Sequence, residues 1–429
     1  MFTTFADAEK FLRNRQSLGI KPGLDRIHQL LDFLGHPESR VSGIHIAGTN
    51  GKGSTVQFLK EALMENGYRV GTFTSPSMYG INGHITDQNQ SITKDAFRTL
   101  LGEMLPAIQK MDDAGMAPTP FEIMTALAFY FFDKHVEIAI IEAGMGGKED
   151  TTNCFTPILS IITNVALDHM AFLGDTPAKI AAHKAGIIKQ HIPVVAGEMD
   201  PTAKAVVMDE ANKKQAACYF LHDTFHYDQI TRHPSGQSFR FVRGQSACHV
   251  SLRMKGEHQI KNASLALMAL KLLKKKGFNV EKGKSLHALQ SAELAGRFEC
   301  LHENPVIIAD SAHNPAGMKA FLQTVHDNYS DIEKQLVFAG FRDKDLKHML
   351  ADCIGKFSCI TLTSFDHPRA ITAAELAAQF PNESMLVVED YRKVMQHILQ
   401  DNNGNPYYFI AGSFHFIAEI REYLQSQFL

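Results

Sequence analysis

Two hydrophobic periods organise the chain. Short apolar runs recur at residues 43–47, 69–74, 136–142, 158–164 and 192–196. Between them lie longer stretches with apolar positions three and four apart, at 6–17, 23–34, 53–66, 93–112, 120–133 and 177–189. The first pattern predicts buried strands and the second amphipathic helices. Gly and Pro fall where helices should break, as in Gly19-Ile-Lys-Pro-Gly23. A polar loop is expected from Ser75 to about Ser91. Residues 236–254 alternate as an antiparallel hairpin or meander, and a long helix is expected over 259–276. After Glu293-Leu-Ala-Gly-Arg-Phe298 the strand–helix rhythm restarts, with strands near 305–309, 335–339, 357–362, 384–388 and 407–411. Strands alternating with helices imply a mostly parallel sheet covered on both faces. The expected fold is therefore α/β: a larger sheet domain over 1–295 and a smaller Rossmann-like α/β domain over 296–429.

A chain of 429 residues is too long for one core, which agrees with two domains. A net charge of −3 argues against wholesale binding to nucleic acid or a membrane surface. No apolar run is long enough to span a bilayer. The first residues, Met1-Phe-Thr-Thr-Phe-Ala-Asp-Ala-Glu9, lack the layout of a signal peptide. The six cysteines are scattered without a C-x-x-C pair, as expected of reduced thiols in a cytoplasmic protein.

Candidate chemistry begins at Ala47-Gly-Thr-Asn-Gly-Lys-Gly-Ser-Thr55, between the 43–47 run and the next helix. A strand feeding a glycine-rich turn into a helix start makes a phosphate cradle. Backbone N–H groups turn inward, the helix N-terminus adds positive partial charge, and Lys52 can reach terminal phosphates. Ser54 or Thr55 could touch a magnesium ion. The spacing departs from the usual P-loop: Ile46 stands where a glycine is expected, and Gly53 separates Lys52 from Ser54. The blander alternative is a tight turn with a solvated lysine, which three glycines and a lysine at a helix start disfavour. ATP or GTP is the expected ligand.

Other polar residues end apolar strands, where open α/β sheets bind ligands. Glu142 would be costly there unless it binds something, and His169, after Asp168, could ligate a metal. Their alternatives are a solvated strand-end acid and a core histidine. Lys184 lies mid-helix and by itself reads as a solvated lysine. In the second domain Asp310 and His313 could hold a ribose, a phosphate or a polar substrate, or form a helix N-cap network.

The ordered set of motifs resembles the folylpolyglutamate synthase and dihydrofolate synthase family, relatives of the Mur ligases. It comprises Lys21-Pro-Gly-Leu-Asp-Arg26, Ile46-Ala-Gly-Thr-Asn-Gly-Lys-Gly-Ser54, Phe73-Thr-Ser-Pro76 and Pro120-Phe-Glu-Ile-Met-Thr125. It continues with Glu142-Ala-Gly-Met-Gly-Gly147, Asp150-Thr-Thr-Asn153, Leu167-Asp-His169, Lys184-Ala-Gly-Ile-Ile-Lys189 and Gly256-Glu-His-Gln259 with Asn262. Gly296-Arg297, Asp310-Ser-Ala-His-Asn-Pro315, Asp343-Lys-Asp345, Pro368-Arg-Ala370 and Gly412-Ser413 complete it. The odd P-loop spacing is the family's own form.

The resemblance implies a Mur ligase-like fold and an ATP-dependent ligase. The enzyme would add L-glutamate to a folate, with dihydropteroate as a second acceptor, through an acyl phosphate. It implies Thr49, Asn50, Gly51, Lys52, Gly53, Ser54, Thr55, Asn262, Arg297 and Asp310 at the nucleotide. Ser75, Glu142 and His169 would hold metal, two Mg²⁺ ions with K⁺ as a further candidate. Lys52, Glu142, His169 and Lys184 would serve catalysis, Lys184 as a carbamate, which reverses the solvated reading. Asp150, His313 and Ser413 would contact substrate. A monomer whose two domains close over the reaction is implied as well.

The sequence departs from the family at Ser77-Met-Tyr-Gly-Ile-Asn-Gly-His-Ile85, which lacks an acid–arginine pair and is shortened. Lys148-Glu149, His183 and Ser311 also replace usual residues. These changes spare the nucleotide machinery and bear on the acceptor side. A Mur-type cell-wall ligase would need an extra domain before the P-loop, and only 47 residues precede Gly48. A GTPase would need an Asn-Lys-x-Asp motif, which the chain lacks. A silent folate- or nucleotide-binding relative would bind folate without ATP turnover.

Overall fold

The computed structural model describes residues 2–401 and 406–427. They divide into two compact units. The first holds Met1–Thr231, Ser238–Leu252 and Gln259–Ala292; the second holds Arg232–Gln237, Arg253–His258 and Glu293–Leu429.

The first unit is built on strands β1 (Gly43–Ala47), β2 (Val70–Phe73), β3 (Ile85–Asp87), β4 (Gln90–Ser91), β5 (Ile138–Glu142), β6 (Leu159–Ile162), β7 (Val194–Ala196) and β8 (Cys218–Phe220). They form one sheet in the order β4-β3-β2-β5-β1-β6-β7-β8. β1 is central, parallel to β5 on one side and β6 on the other. All five residues of β1 and of β5 are buried, so helices cover both faces, as continuous apolar runs require. On one side Phe97, Leu101, Phe129 and Phe132 pack with Phe73 and Ile141. Elsewhere Ile180, Ala181, Val207 and Ala211 pack with Ile162, Val194 and Ala196.

The supposed polar loop 75–91 differs from expectation at its end. β3 and β4 pair antiparallel there, and β3 pairs antiparallel with β2, adding an edge to the parallel sheet. The runs are two and three residues long, too short to show a period. The meander gains a strand as well: β9 (His226–His233), β10 (Gly236–Arg243) and β11 (Ser246–Leu252) form a separate three-stranded sheet. β9 is largely exposed and carries little apolar signal.

The second unit holds β12 (Glu299–Glu303), β13 (Val306–Ala309), β14 (Lys334–Phe338), β15 (Cys359–Ser364), β16 (Leu386–Asp390) and β17 (Tyr407–Ala411). Their order is β12-β13-β17-β14-β15-β16, parallel except for β12 against β13. Its core gathers Met318, Phe321, Leu336, Phe338, Leu362 and Phe409.

Candidate active site

The turn after β1 is held by the end of β6. Thr49 N donates to Asn164 O at 3.2 Å, Asn50 N to Asn164 Oδ1 at 2.9 Å, and Thr163 Oγ1 to Asn50 O at 2.6 Å. Thr49 Oγ1 is 3.0 Å from both Ala166 O and Ala166 N. Gly51 has φ +83°, and a Cβ there would lie 2.2 Å from Asn262 Oδ1. The turn thus requires glycine twice over, for its left-handed backbone and for the close approach of Asn262. Asn262 is buried and donates to Gln259 Oε1 at 3.1 Å. The helix Lys52–Glu65 starts directly after this turn, with Gly53 in its first turn.

Lys52 Nζ donates to Gly48 O at 3.1 Å and Thr49 O at 3.3 Å, and lies 3.8 Å from Glu142 Oε1. Glu142 ends β5 and is only 5% exposed. Thr55 Oγ1 donates to Gly51 O within its own helix, whereas Ser54 makes no such back-bond. Of the two hydroxyls, Ser54 is the better placed for a ligand.

Lys184 is buried near the end of the helix Pro177–Ala185. Desolvation, followed by repulsion from Lys52, pushes its pKa down to about 7, against attraction from Asp168 and Asp150. Asp150 is buried too, and desolvation raises its pKa. Its oxygens accept from Met145 N at 2.7 Å, Thr152 N at 3.0 Å and Thr152 Oγ1 at 2.5 Å. The carboxylate therefore shapes the Gly-rich turn after β5. Thr152 Oγ1 also lies 2.9 Å from His45 Nε2 inside β1.

His169 has φ +51° and is half-exposed, with Nε2 at 4.0 Å from Asp168 Oδ2. Ser75 follows β2 in a half-buried loop. Among the described residues no three His, Cys, Asp or Glu side chains converge as a metal cage. Magnesium keeps several waters and is usually held by one or two carboxylates together with phosphate oxygens. The hydroxyl of Ser75 and the carboxylate of Glu142 suit that mode, with His169 as a softer third donor.

This strand–turn–helix architecture has many relatives. Residues 46–270 match the Mur ligase middle domain, and 296–414 match the Mur ligase glutamate ligase domain. A dihydrofolate synthase/folylpolyglutamate synthase of Bacillus subtilis is 37% identical over 433 residues, covering 99% of this chain and 100% of the relative. The chain belongs to the folylpolyglutamate synthase and dihydrofolate synthase family. The folylpolyglutamate synthase of Lacticaseibacillus casei is 30% identical, covering 93% of this chain and 94% of its own. The solved folylpolyglutamate synthase of Mycobacterium tuberculosis complexed with ADP superposes with TM-score 0.91 at 28% identity, covering 98% of each chain.

In the second unit the segment after β13 is built around Asp310. Its carboxylate accepts from Phe298 N and Ala312 N, each at 2.9 Å, and burial raises its pKa against the pull of Arg297. The helix N-cap is Asn314, which accepts from Gly317 N at 2.8 Å, so Asp310 is not spent on capping. His313 Nδ1 lies 2.9 Å from Ser311 O. The hydroxyls of Ser311 and Ser413 are buried without a hydrogen-bond partner. Among the motif residues, the partly exposed Arg26 pairs with the buried Glu122 at 3.0 Å, and Glu122 also closes a capping box with Thr119.

The variant segment after Ser75 is pinned by its own contacts. His84 Nδ1 is 2.8 Å from Thr74 O, Asn82 Nδ2 donates to Ile92 O at 2.8 Å, and Tyr79 is exposed. Two residues carry no mark of their own in the sequence, Thr163 and Asn164, which hold the glycine turn; Asp168, already placed beside His169 at a strand end, also lies near Lys184. The only signal of Thr163 and Asn164 is position, as for Glu142: a polar side chain just beyond an apolar strand run.

Proposed function

We propose that the protein is an ATP-dependent amide ligase that adds L-glutamate to a folate, with dihydropteroate as a further acceptor. The observation that carries this reading is the glycine turn with Lys52 3.8 Å from the buried Glu142. A solvated lysine has no reason to sit beside a buried carboxylate and two carbonyls at the head of a helix. The names and full-length coverage of the relatives support the choice of substrates.

In this reading the N–H groups from Thr49 to Thr55 and the ammonium of Lys52 hold the phosphates. The acceptor carboxylate attacks the γ-phosphorus, ADP leaves, and an acyl phosphate forms. The glutamate amine then attacks the acyl carbon, expels inorganic phosphate and loses a proton to solvent. Bound Mg²⁺ would offset charge on the transferring phosphoryl group. Ser75, Glu142 and His169 would hold it. The half-neutral Lys184 would be a nucleophile for CO₂, and its carbamate would supply an anion for a second Mg²⁺, with K⁺ as an additional ion. Asn262, Arg297 and Asp310 would contact the nucleotide; Asp150, His313 and Ser413 would serve the acceptor and glutamate. Six free cysteines fit a reducing cytoplasm, and a monomer is our proposed state.

The deciding assay is ADP release from ATP and Mg²⁺ with glutamate and either dihydropteroate, tetrahydrofolate or no acceptor. Turnover that needs both glutamate and a pterin, and vanishes in Lys52→Ala, is the expected result. ATP binding without turnover on either pterin would move the acceptor outside the folates or mark a silent relative. Incubation with ¹³C-bicarbonate should give a carbamate resonance that Lys184→Ala removes.

A further inference from the structure

Outside this chemistry the first unit carries a shallow, open basic depression of about 560 Å³. Tyr219 of the edge strand β8, Thr224 after it, Arg243 and Ser246 around the β10–β11 turn, and Lys271 and Lys275 of the helix Glu257–Lys275 line it. Three separate elements thus bring three cations and three hydroxyls to one depression, and no acid lines it. Among the described residues no ion pair reaches Arg243, Lys271 or Lys275.

Lysines at the last turn of a helix complement its dipole, which accounts for Lys275. That explanation does not extend to Arg243, which comes from a hairpin, or to Lys271, one turn earlier. Lys271 is partly desolvated over Phe241 and donates to Ser246 Oγ at 3.2 Å, and Arg243 and Lys282 repel its charge. Arg243 lies over the Tyr219 ring, 5.4 Å from its centroid. Like charges gathered without a counter-ion in a chain of net charge −3 make a local positive field that attracts an anion.

We infer that this hollow is a second binding site, for a small molecule carrying two or more phosphate groups. A guanidinium fork with two ammonium groups and hydroxyl donors matches phosphate oxygens in both charge and hydrogen bonding. The volume is ample for a di- or triphosphate. The site stands independently of the ligase reading.

Tripolyphosphate, titrated calorimetrically, tests it. Because the phosphate turn would take the same probe, the comparison is made in the Lys52→Ala full-length protein, with and without Arg243→Gln and Lys271→Gln. One saturable site, weakened roughly tenfold or more by the two added substitutions and by rising salt, is expected. Equal titrations in the two proteins, or no saturable binding, overturn the site. Preferential uptake of a γ-linked tetraglutamate overturns the phosphate assignment. Arg243→Gln/Lys271→Gln with Lys52 intact should keep full ATP-dependent turnover and an unchanged melting transition. Loss of that transition would make the pair structural and also end the proposal.

Discussion

Lys184 is a lysine whose surroundings weaken its hold on its proton. Its pKa is pushed down to about 7 from an ordinary 10.5, chiefly by burial. Between those values the unfolded chain binds a proton that the folded chain lacks, so this group's contribution to stability rises as pH climbs. In carbonate-free buffer the melting temperature of Lys184→Met should therefore climb less across that window than that of the unaltered protein. An identical slope would show that Lys184 keeps its charge in the fold. Lys52 belongs to the same neighbourhood, and in the proposed reaction its charge would serve the nucleotide. Lys52→Ala should lower kcat by roughly 10²-fold or more, as removal of a preorganised charge at a transferring phosphoryl group does.

At the scale of elements, the glycine turn after β1 is defined by what its neighbours allow. Gly51→Ala puts a Cβ 2.2 Å from Asn262 Oδ1 on a backbone with φ +83°. The substitution should cost more than about 1 kcal/mol of stability and abolish nucleotide binding in a direct titration. Intact binding by Gly51→Ala would mean that the turn is not the cradle. The Arg26–Glu122 pair ties the segment before β1 to the helix Pro120–His135. Glu122 is fully buried, so Arg26→Met leaves a charge with no counter-ion. A loss of about 3 kcal/mol in denaturant unfolding is expected. A much smaller loss would mean that the capping box alone satisfies Glu122.

For the whole molecule, a ligand that binds only the folded state raises its stability by mass action. ATP with Mg²⁺ should raise the first melting transition of the unaltered chain and leave that of Lys52→Ala almost unmoved. A chain whose melting ignores the nucleotide would not be an ATP-dependent ligase of the kind proposed. The alternation of apolar runs and amphipathic stretches was enough to read two mostly parallel α/β sheets, because strands buried on both faces must be continuously apolar. The Gly51-Lys-Gly-Ser54 turn was legible for a local reason: its glycines and lysine lie together in the chain at the head of a helix. Glu142 and His169 were legible as polar ends of apolar runs. The β3–β4 edge and the exposed β9 were not, since two or three residues carry no period and an exposed strand has no apolar face. Local pattern also assigned Lys184 to solvent and could not connect Asn262 to Gly51, Asn164 to Asn50, or Arg243 to Lys271. Burial and proximity between residues far apart in sequence arise only when the chain packs. The sequence by itself determined the apolar strands, the amphipathic helices and the glycine turn between them; tertiary structure decided the sheet edges, which charges are desolvated and which side chains meet, because these depend on contacts that no local pattern encodes.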